Sequence, residues 1–271
     1  MSEWQTLEAP AKLNLALVVG PARTDGKHEV ATVLERLTLA DVVAVRRAPE
    51  TRVTGFANDT LVRAALDAVE ARSGARFEAR IEKRIPVAAG LGGGSSDAAA
   101  ALRLANGLLD SPLPLEELAP VATALGADVP FFLRAGPQLG AGDGTMLTTV
   151  TLPRDYAVLL ALPAGAVKSS TAAVYASFDA RAGETGFEER RAALLDELAR
   201  IASPRDLAGL PPNDLASSPL ADELRGLGAF RADVAGAGPV VYALFADRDA
   251  AGRAEAALES RVAASWLAEP A

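Results

Sequence analysis

Pro86-Val-Ala-Ala-Gly-Leu-Gly-Gly-Gly-Ser-Ser-Asp-Ala-Ala-Ala-Ala101 packs four glycines and two serines directly ahead of an alanine-rich run. Glycine has no Cβ and tolerates positive φ, so a ligand can approach such a backbone closely. Ser95, Ser96 and Asp97 are good N-cap types, and Ala98 to Leu109 is rich in helix formers. A glycine loop that opens into a helix presents unpaired N–H groups and the positive end of the helix dipole, a setting that favours phosphate. A flexible connector ahead of a surface helix would also be glycine-rich. Three consecutive glycines, two hydroxyls and an immediate helix argue for the phosphate loop. It is not a Walker A loop, because no Lys-Ser or Lys-Thr pair follows the glycines. It also lacks the frame of a dinucleotide-binding βαβ unit.

Upstream, Leu13, Leu15 and Leu17 alternate with Lys12, Asn14 and Ala16. That period of two predicts a half-buried strand over 9–20 with Lys12 and Asn14 on one face, either solvated or lining a pocket. Thr24-Asp-Gly26 signals a turn, and Lys27 and His28 follow it. His28 is the only histidine in the chain. It is either a structural residue or a ligand contact, since imidazole both donates and accepts hydrogen bonds. With no cluster of Cys, His or carboxylates around it in sequence, it does not suggest a metal site. Extended, β-branched composition runs from Val30 to Val45. A helix is predicted over 58–72, and a strand over 77–85 that Pro86 stops.

Downstream, a helix is predicted over 112–125, closed by Gly126 as a C′ glycine. Gly126-Ala-Asp-Val-Pro-Phe-Phe-Leu133 comes next. Pro130 biases Val129 away from helix. Asp128 then lies at a sharp junction beside an apolar segment, as a capping or turn aspartate or as a reactive carboxylate against a dry wall. Residues 136–144 read as a glycine-dense hairpin, and 156–163 as a strand that opens a second half. Helices are expected over 171–178, 184–202 and 248–259, and Asn213-Asp-Leu215 leads into another that runs through Leu227. Tyr175 and Phe178 are either core or pocket aromatics. A second glycine turn, Ala235-Gly-Ala-Gly-Pro239, precedes a strand, and 262–267 can return as another. Strands and helices mix without regular βαβ alternation. This predicts an α+β architecture in two parts, residues 1–154 with the phosphate loop at 86–97, and residues 155–271.

The chain has 271 residues, half of them hydrophobic, a formal net charge of −8 and no cysteine. An acidic chain without a basic face is not built to bind nucleic acid. Disulfides and thiolate metal sites are excluded. The N-terminal residues lack a secretory pattern and no apolar run reaches membrane-spanning length, so a cytoplasmic protein without membrane attachment is expected.

The glycine loop resembles the central phosphate-binding motif of the GHMP kinases. Ala9-Pro-Ala-Lys-Leu-Asn-Leu15, Asp25-Gly-Lys-His-Glu29, Leu125-Gly-Ala-Asp-Val-Pro-Phe-Phe-Leu133, Asn213-Asp-Leu215 and Ala235-Gly-Ala-Gly-Pro239 resemble further signatures of the branch that acts on cytidine-diphosphate sugar alcohols. The likeness runs from about residue 8 to residue 250. It implies a two-domain fold, an N-terminal α/β domain and a ferredoxin-like C-terminal domain with the active site in the cleft between. It also implies ATP-dependent, Mg²⁺-assisted phosphorylation of a 2-hydroxyl in non-mevalonate isoprenoid precursor synthesis, by a monomer or homodimer. In that resemblance Asn58 would sit at the adenine, and Pro86, Gly90, Leu91, Gly92, Gly93, Gly94, Ser95 and Ser96 would line the ATP site. Asp128 would accept the hydroxyl proton. Lys12 would hold Asp128 ionised and shield the transferring phosphoryl group. Asn14 would orient the sugar alcohol, His28 would bond the cytosine, and Tyr175 or Phe178 would supply a stacking face for it. No metal ligands can be named from the motifs.

Two departures from the family pattern matter, at three positions. Lys27 stands where an aromatic usually stacks on the base; a lysine there could instead meet a phosphate. Ala235 and Ala237 stand where serines are usual. These leave open another acceptor within the same superfamily, or a non-catalytic nucleotide-binding relative. A decarboxylase of the same fold would share the glycine loop but not the cytidine-loop likeness.

Overall fold

The computed structural model describes residues 3–57, 59–167 and 169–271. In chain order its elements are β1 (Gln5–Ala22), β2 (His28–Arg47), β3 (Arg52–Thr54), α1 (Leu61–Ser73), β4 (Phe77–Glu82), α2 (Gly93–Gly107) and α3 (Leu115–Leu125), followed by β5 (Gln138–Ala141), β6 (Met146–Thr149), β7 (Ala157–Pro163), α4 (Thr171–Ala180), α5 (Phe187–Arg200), α6 (Pro219–Gly226), β8 (Arg231–Val234), β9 (Val241–Phe245), α7 (Arg248–Leu258) and β10 (Val262–Ala268). They form two compact units. The first holds residues up to Ala11, Ala40–Val87 and Gly92–Ala135; the second holds Lys12–Leu39, Ala88–Leu91 and Gly136–Ala271.

In the first unit, residues 42–47 of β2 pair antiparallel with β4, and β3 adds to β4 in parallel. Helices α1 and α2 pack together. Ala98, Ala99, Ala101 and Ala105 of α2 are fully buried. Small side chains on nearly every face let neighbouring elements approach this helix closely. It is therefore a core helix and not a surface one. Helix α3 contains Pro120, which supplies no N–H to the turn before it. Gly126 does follow α3, but its φ of 166° is extended, so the expected left-handed C′ closure does not form. Val129 adopts helical dihedrals despite Pro130. Its N–H donates to the Gly126 carbonyl at 3.1 Å, and the turn runs on into a 3₁₀ segment, Pro130–Leu133. Local hydrogen bonding outweighs the steric bias of the residue before proline.

In the second unit, β7, α6, β8, β9, α7 and β10 follow a βαββαβ path with sheet order β10-β7-β9-β8, antiparallel throughout. That is the ferredoxin-like arrangement. Leu159, Ala161, Leu224, Val241, Ala243, Phe245, Ala251 and Leu258 fill its core between sheet and helices. The helix expected after Asn213-Asp-Leu215 is short: α6 begins only at Pro219, capped by Ser218, whose hydroxyl accepts from Leu220 N–H. Before it, Asn213 N–H donates to Asp233 Oδ2 at 2.7 Å, Asp214 N–H to the Leu17 carbonyl at 2.9 Å and Leu215 N–H to Asn213 Oδ1 at 2.9 Å. β8 has no counterpart in the sequence reading, because four residues are too few to show a period. Elsewhere in this unit, residues 32–34 of β2 pair with β5, and β5 forms the expected hairpin with β6. Leu17, Val19, Val30, Phe178 and Leu215 cluster under α4.

Candidate active site

The first unit supplies the helix start. Gly92, at φ 68°, is the N-cap of α2, and the Ser96 N–H donates to its carbonyl at 2.9 Å. The helix thus begins at Gly93, five residues before the predicted start. Ser95, Ser96 and Asp97 lie inside its first turns and cap nothing: no side-chain cap bond is present among the described residues. A capping oxygen would occupy the N–H groups that an anion needs, so an uncapped glycine start keeps them for a ligand. A Cβ on Gly93 would lie 3.2 Å from the Ile85 side chain. Ser96 Oγ and Asp97 Oδ1 are buried without a hydrogen-bond partner among the described residues. Buried polar atoms left without partners are uncommon, and these two lie in the first turns of the phosphate-loop helix.

The approach to this helix is locked electrostatically. Asp41 Oδ1 accepts from the N–H groups of Arg84 (2.5 Å) and Ile85 (2.8 Å), which holds the chain entering Pro86. Lys83 Nζ donates to Asp41 Oδ2 and, at 2.7 Å, to Asp97 Oδ2. Burial opposes the charge on Lys83, but these two carboxylates outweigh it and raise its pKa. Burial, with the nearby Asp41 charge, pushes the Asp97 carboxyl up to about 7 against the pull of Lys83. Asp128 is half-buried in the turn after α3, beside buried Val129, Pro130, Phe131 and Phe132. The Pro130–Leu133 segment packs against α2. The dry wall expected beside Asp128 is present, and it rests on the same helix that the glycine loop opens into. Asn58 lies outside the described residues.

The second unit supplies a buried polar chain. Lys12 is 5% exposed; its Nζ donates to Asn14 Oδ1 at 2.7 Å. Asn14 Nδ2 donates to Thr32 Oγ1 at 2.8 Å, and Thr32 Oγ1 donates to the Ala16 carbonyl at 2.8 Å. Lys12 and Asn14 therefore share a buried face; neither is a solvated strand residue. Lys12 N–H also donates to the Leu91 carbonyl at 2.9 Å. The glycine segment before Leu91 meets the late glycine turn backbone to backbone. A Cβ on Gly90 would fall 1.9 Å from the Ala235 carbonyl oxygen, and one on Gly238 would fall 2.2 Å from the Ala89 carbonyl. A Cβ on Gly236, at φ 56°, would lie 3.2 Å from Asn14 Oδ1 and 3.5 Å from Lys12 Nζ. Asn213 holds that turn: its Nδ2 donates to the Val234 (3.0 Å) and Gly236 (2.7 Å) carbonyls, while its Oδ1 accepts from Leu215 N–H. Asn213 was visible in the sequence only as part of a motif; its work is to anchor a turn lying next to Lys12 and Asn14.

His28 lies at the start of β2 under α4. Its Nε2 is 2.7 Å from Asp179 Oδ1. Its ring lies against Tyr175, with centroids 4.7 Å apart, and against the edge of Phe178. Tyr175 and His28 are thus brought together, while buried Phe178 also serves the core. Asp179 has no place in the motif reading; its spacing of four from Tyr175 on α4 was the available signal. Lys27 does not reach out for a phosphate here. Its Nζ is paired with Asp143 Oδ2 at 2.5 Å, across the β5–β6 turn. Burial works against the Asp143 charge, but Lys27 and Thr145 outweigh it and hold the carboxyl down at about 2.

The first unit therefore carries Pro86, Gly92 to Ser96 and Asp128, and the second carries Lys12, Asn14, Lys27, His28, Gly90, Leu91 and Tyr175. Comparison with known proteins identifies the family. Residues 60–136 match the model of the GHMP kinases N terminal domain, and residues 184–264 match that of the GHMP kinases C terminal domain. A curated 4-diphosphocytidyl-2-C-methyl-D-erythritol kinase of Anaeromyxobacter sp. is 39% identical, covering 94% of this chain and 86% of that protein. One from Geobacter sulfurreducens is 35% identical over 97% and 96%. A crystal structure of 4-(cytidine 5'-diphospho)-2C-methyl-D-erythritol kinase superposes with a TM-score of 0.78 at 29% identity, covering 98% of both chains. The Methanococcus jannaschii mevalonate kinase shares the fold, with a TM-score of 0.75 at 14% identity over 100% and 99%. On these likenesses and on the glycine loop, the chain belongs to the GHMP kinases, in the branch of the 4-diphosphocytidyl-2-C-methyl-D-erythritol kinases.

Proposed function

We propose that this chain transfers the γ-phosphoryl group of ATP to the 2-hydroxyl of 4-diphosphocytidyl-2-C-methyl-D-erythritol, a cytoplasmic step of isoprenoid precursor synthesis. The observation that carries the reading is the uncapped start of α2 at Gly92, with the Asp128 segment packed on the same helix. Phosphoryl transfer asks a protein mainly for positioning and charge neutralisation. The first-turn N–H groups of α2 hold the ATP phosphates, with Pro86, Gly90 and Leu91 shaping the loop before them. Asp128 accepts the proton of the attacking hydroxyl, as a half-buried carboxylate beside an apolar wall is suited to do. The Lys12 ammonium, held by Asn14, offsets charge that builds on the transferring group. Asn14 orients the sugar alcohol; His28 and Tyr175 receive the base.

Among the described residues no group of three His, Cys, Asp or Glu is arranged to hold a metal. Mg²⁺ in such enzymes keeps several waters and takes most other ligands from the nucleotide, so one or two protein oxygens suffice. Ser96 Oγ, without a hydrogen-bond partner among the described residues, is an available oxygen of this kind. When bound, the ion neutralises phosphate charge.

The test is ADP release with ATP, Mg²⁺ and the cytidine acceptor against a control without acceptor. Acceptor-dependent release supports the reading. ATP binding without release overturns it in favour of another acceptor or a non-catalytic relative. Lys27, Ala235 and Ala237 are the features that favour those alternatives.

A further inference from the structure

One turn of α4 closes on His28 from three sides. Tyr175 lies against the imidazole face with its ring tilted by 36°, Phe178 presents its edge with centroids 6.1 Å away, and Asp179 Oδ1 sits 2.7 Å from Nε2. The imidazole side chain is 8% exposed and that of Asp179 is 51% exposed. Nδ1 has no hydrogen-bond partner among the described residues. A neutral imidazole donates from one nitrogen and accepts at the other, and its partners decide which. A carboxylate only accepts, so Asp179 requires the proton on Nε2. That leaves Nδ1 as a bare acceptor.

We infer that Asp179 is a positioning residue that sets the base specificity of this site by holding His28 in the Nε2–H tautomer, so that Nδ1 accepts a hydrogen bond from the exocyclic amine of cytosine and rejects uracil. The inference rests on the reading of His28 as a contact of the base. Cytosine and uracil differ in size very little, but cytosine offers an amine donor where uracil offers a carbonyl acceptor. Against a fixed acceptor the first makes a hydrogen bond, and the second leaves two lone pairs facing each other. A site that fixes its donor and acceptor pattern discriminates far better than one relying on shape.

His28 is the sole histidine, so an untagged chain labelled with ¹⁵N-histidine reports one imidazole. At a pH of about 8, above the ordinary imidazole range, the wild type shows Nε2 protonated and Nδ1 bare. Asp179→Ala shows averaged tautomers. A wild type with Nδ1 protonated, or with both nitrogens protonated, overturns the inference. In kinetics, Asp179→Ala lowers the cytidine-over-uridine ratio of kcat/KM roughly tenfold, through KM for the cytidine acceptor. Its kcat and its KM for ATP stay within about twofold of wild type. In Asp179→Asn the amide can also donate to Nε2, so the uridine acceptor improves relative to wild type. An unchanged ratio in Asp179→Ala overturns the inference. His28→Ala separates the two ways of failing: if it collapses the ratio while Asp179→Ala does not, His28 still reads the base and only the role of Asp179 is wrong. If neither changes the ratio, both readings fall.

Discussion

Gly90 and Ala235 meet backbone to backbone, so closely that a Cβ on Gly90 would lie 1.9 Å from the Ala235 carbonyl oxygen. Gly90 also has φ +84°, where an L side chain is strained even in open space. Gly90→Ala therefore forces the late glycine turn away and should destabilise the protein by about 2 kcal/mol or more. Gly252, in α7, is the contrasting position: a Cβ there would meet nothing within 4 Å. At that site alanine should stabilise by about 0.5–1 kcal/mol. Urea unfolding midpoints at unchanged m-value check both, and equal effects at the two sites would contradict the contact.

Asp128→Asn keeps the shape of the turn after α3 but removes the proposed base. We expect kcat to fall by about 10² to 10⁴-fold, with nucleotide affinity within twofold, because the N–H groups proposed to hold phosphate belong to α2. Single-turnover phosphoryl transfer and nucleotide titration separate these effects. Turnover at the wild-type rate would remove Asp128 from the mechanism.

Asn213 touches no reacting group in this assignment, yet its variants should affect turnover. Its amide satisfies the buried carbonyls of Val234 and Gly236, and Gly236 adjoins Asn14 Oδ1 and Lys12 Nζ. Asn213→Ala strands both carbonyls, which costs about 2–4 kcal/mol. It should also lower kcat at temperatures where the protein is still folded. Thermal unfolding paired with kinetics well below the midpoint tests this; lost stability with unchanged kcat would confine Asn213 to folding.

Asp97 gives stability a pH dependence of definite sign. Unfolded aspartate titrates near 3.9; in the folded protein the Asp97 carboxyl is raised to about 7, chiefly by burial. Between these values the folded state holds a proton that the unfolded chain has released. The contribution of Asp97 is therefore fully present below about pH 4 and is lost as pH rises toward 7. Relative to Asp97→Asn, wild-type stability should decline across that interval. Parallel urea midpoints from pH 4 to 7 for the two proteins would show the opposite.

The glycine loop, the Lys12 and Asn14 strand face, the helix-rich middle and the closing strand were legible in the sequence, because each rests on local chemistry: periodicity, missing Cβ atoms, breaker residues. The start of α2 was not. Ser95, Ser96 and Asp97 look like caps, but the helix already begins at Gly93, since Asp41 holds the preceding chain and Lys83 ties Asp97 into the buried cluster. Neither partner is near in sequence.

What the sequence alone determined is the class of the protein and the identity of its chemical groups, since a glycine cradle, a lysine on a strand and an aspartate beside Pro130 are statements about composition and neighbours. Only the tertiary structure decided what those groups touch: that Asp179 takes His28, that Asp143 takes Lys27, and that Asn213 holds the turn next to Lys12. The physical reason is range. Each of these bonds joins residues far apart in the chain, and their pairing depends on how the intervening elements pack.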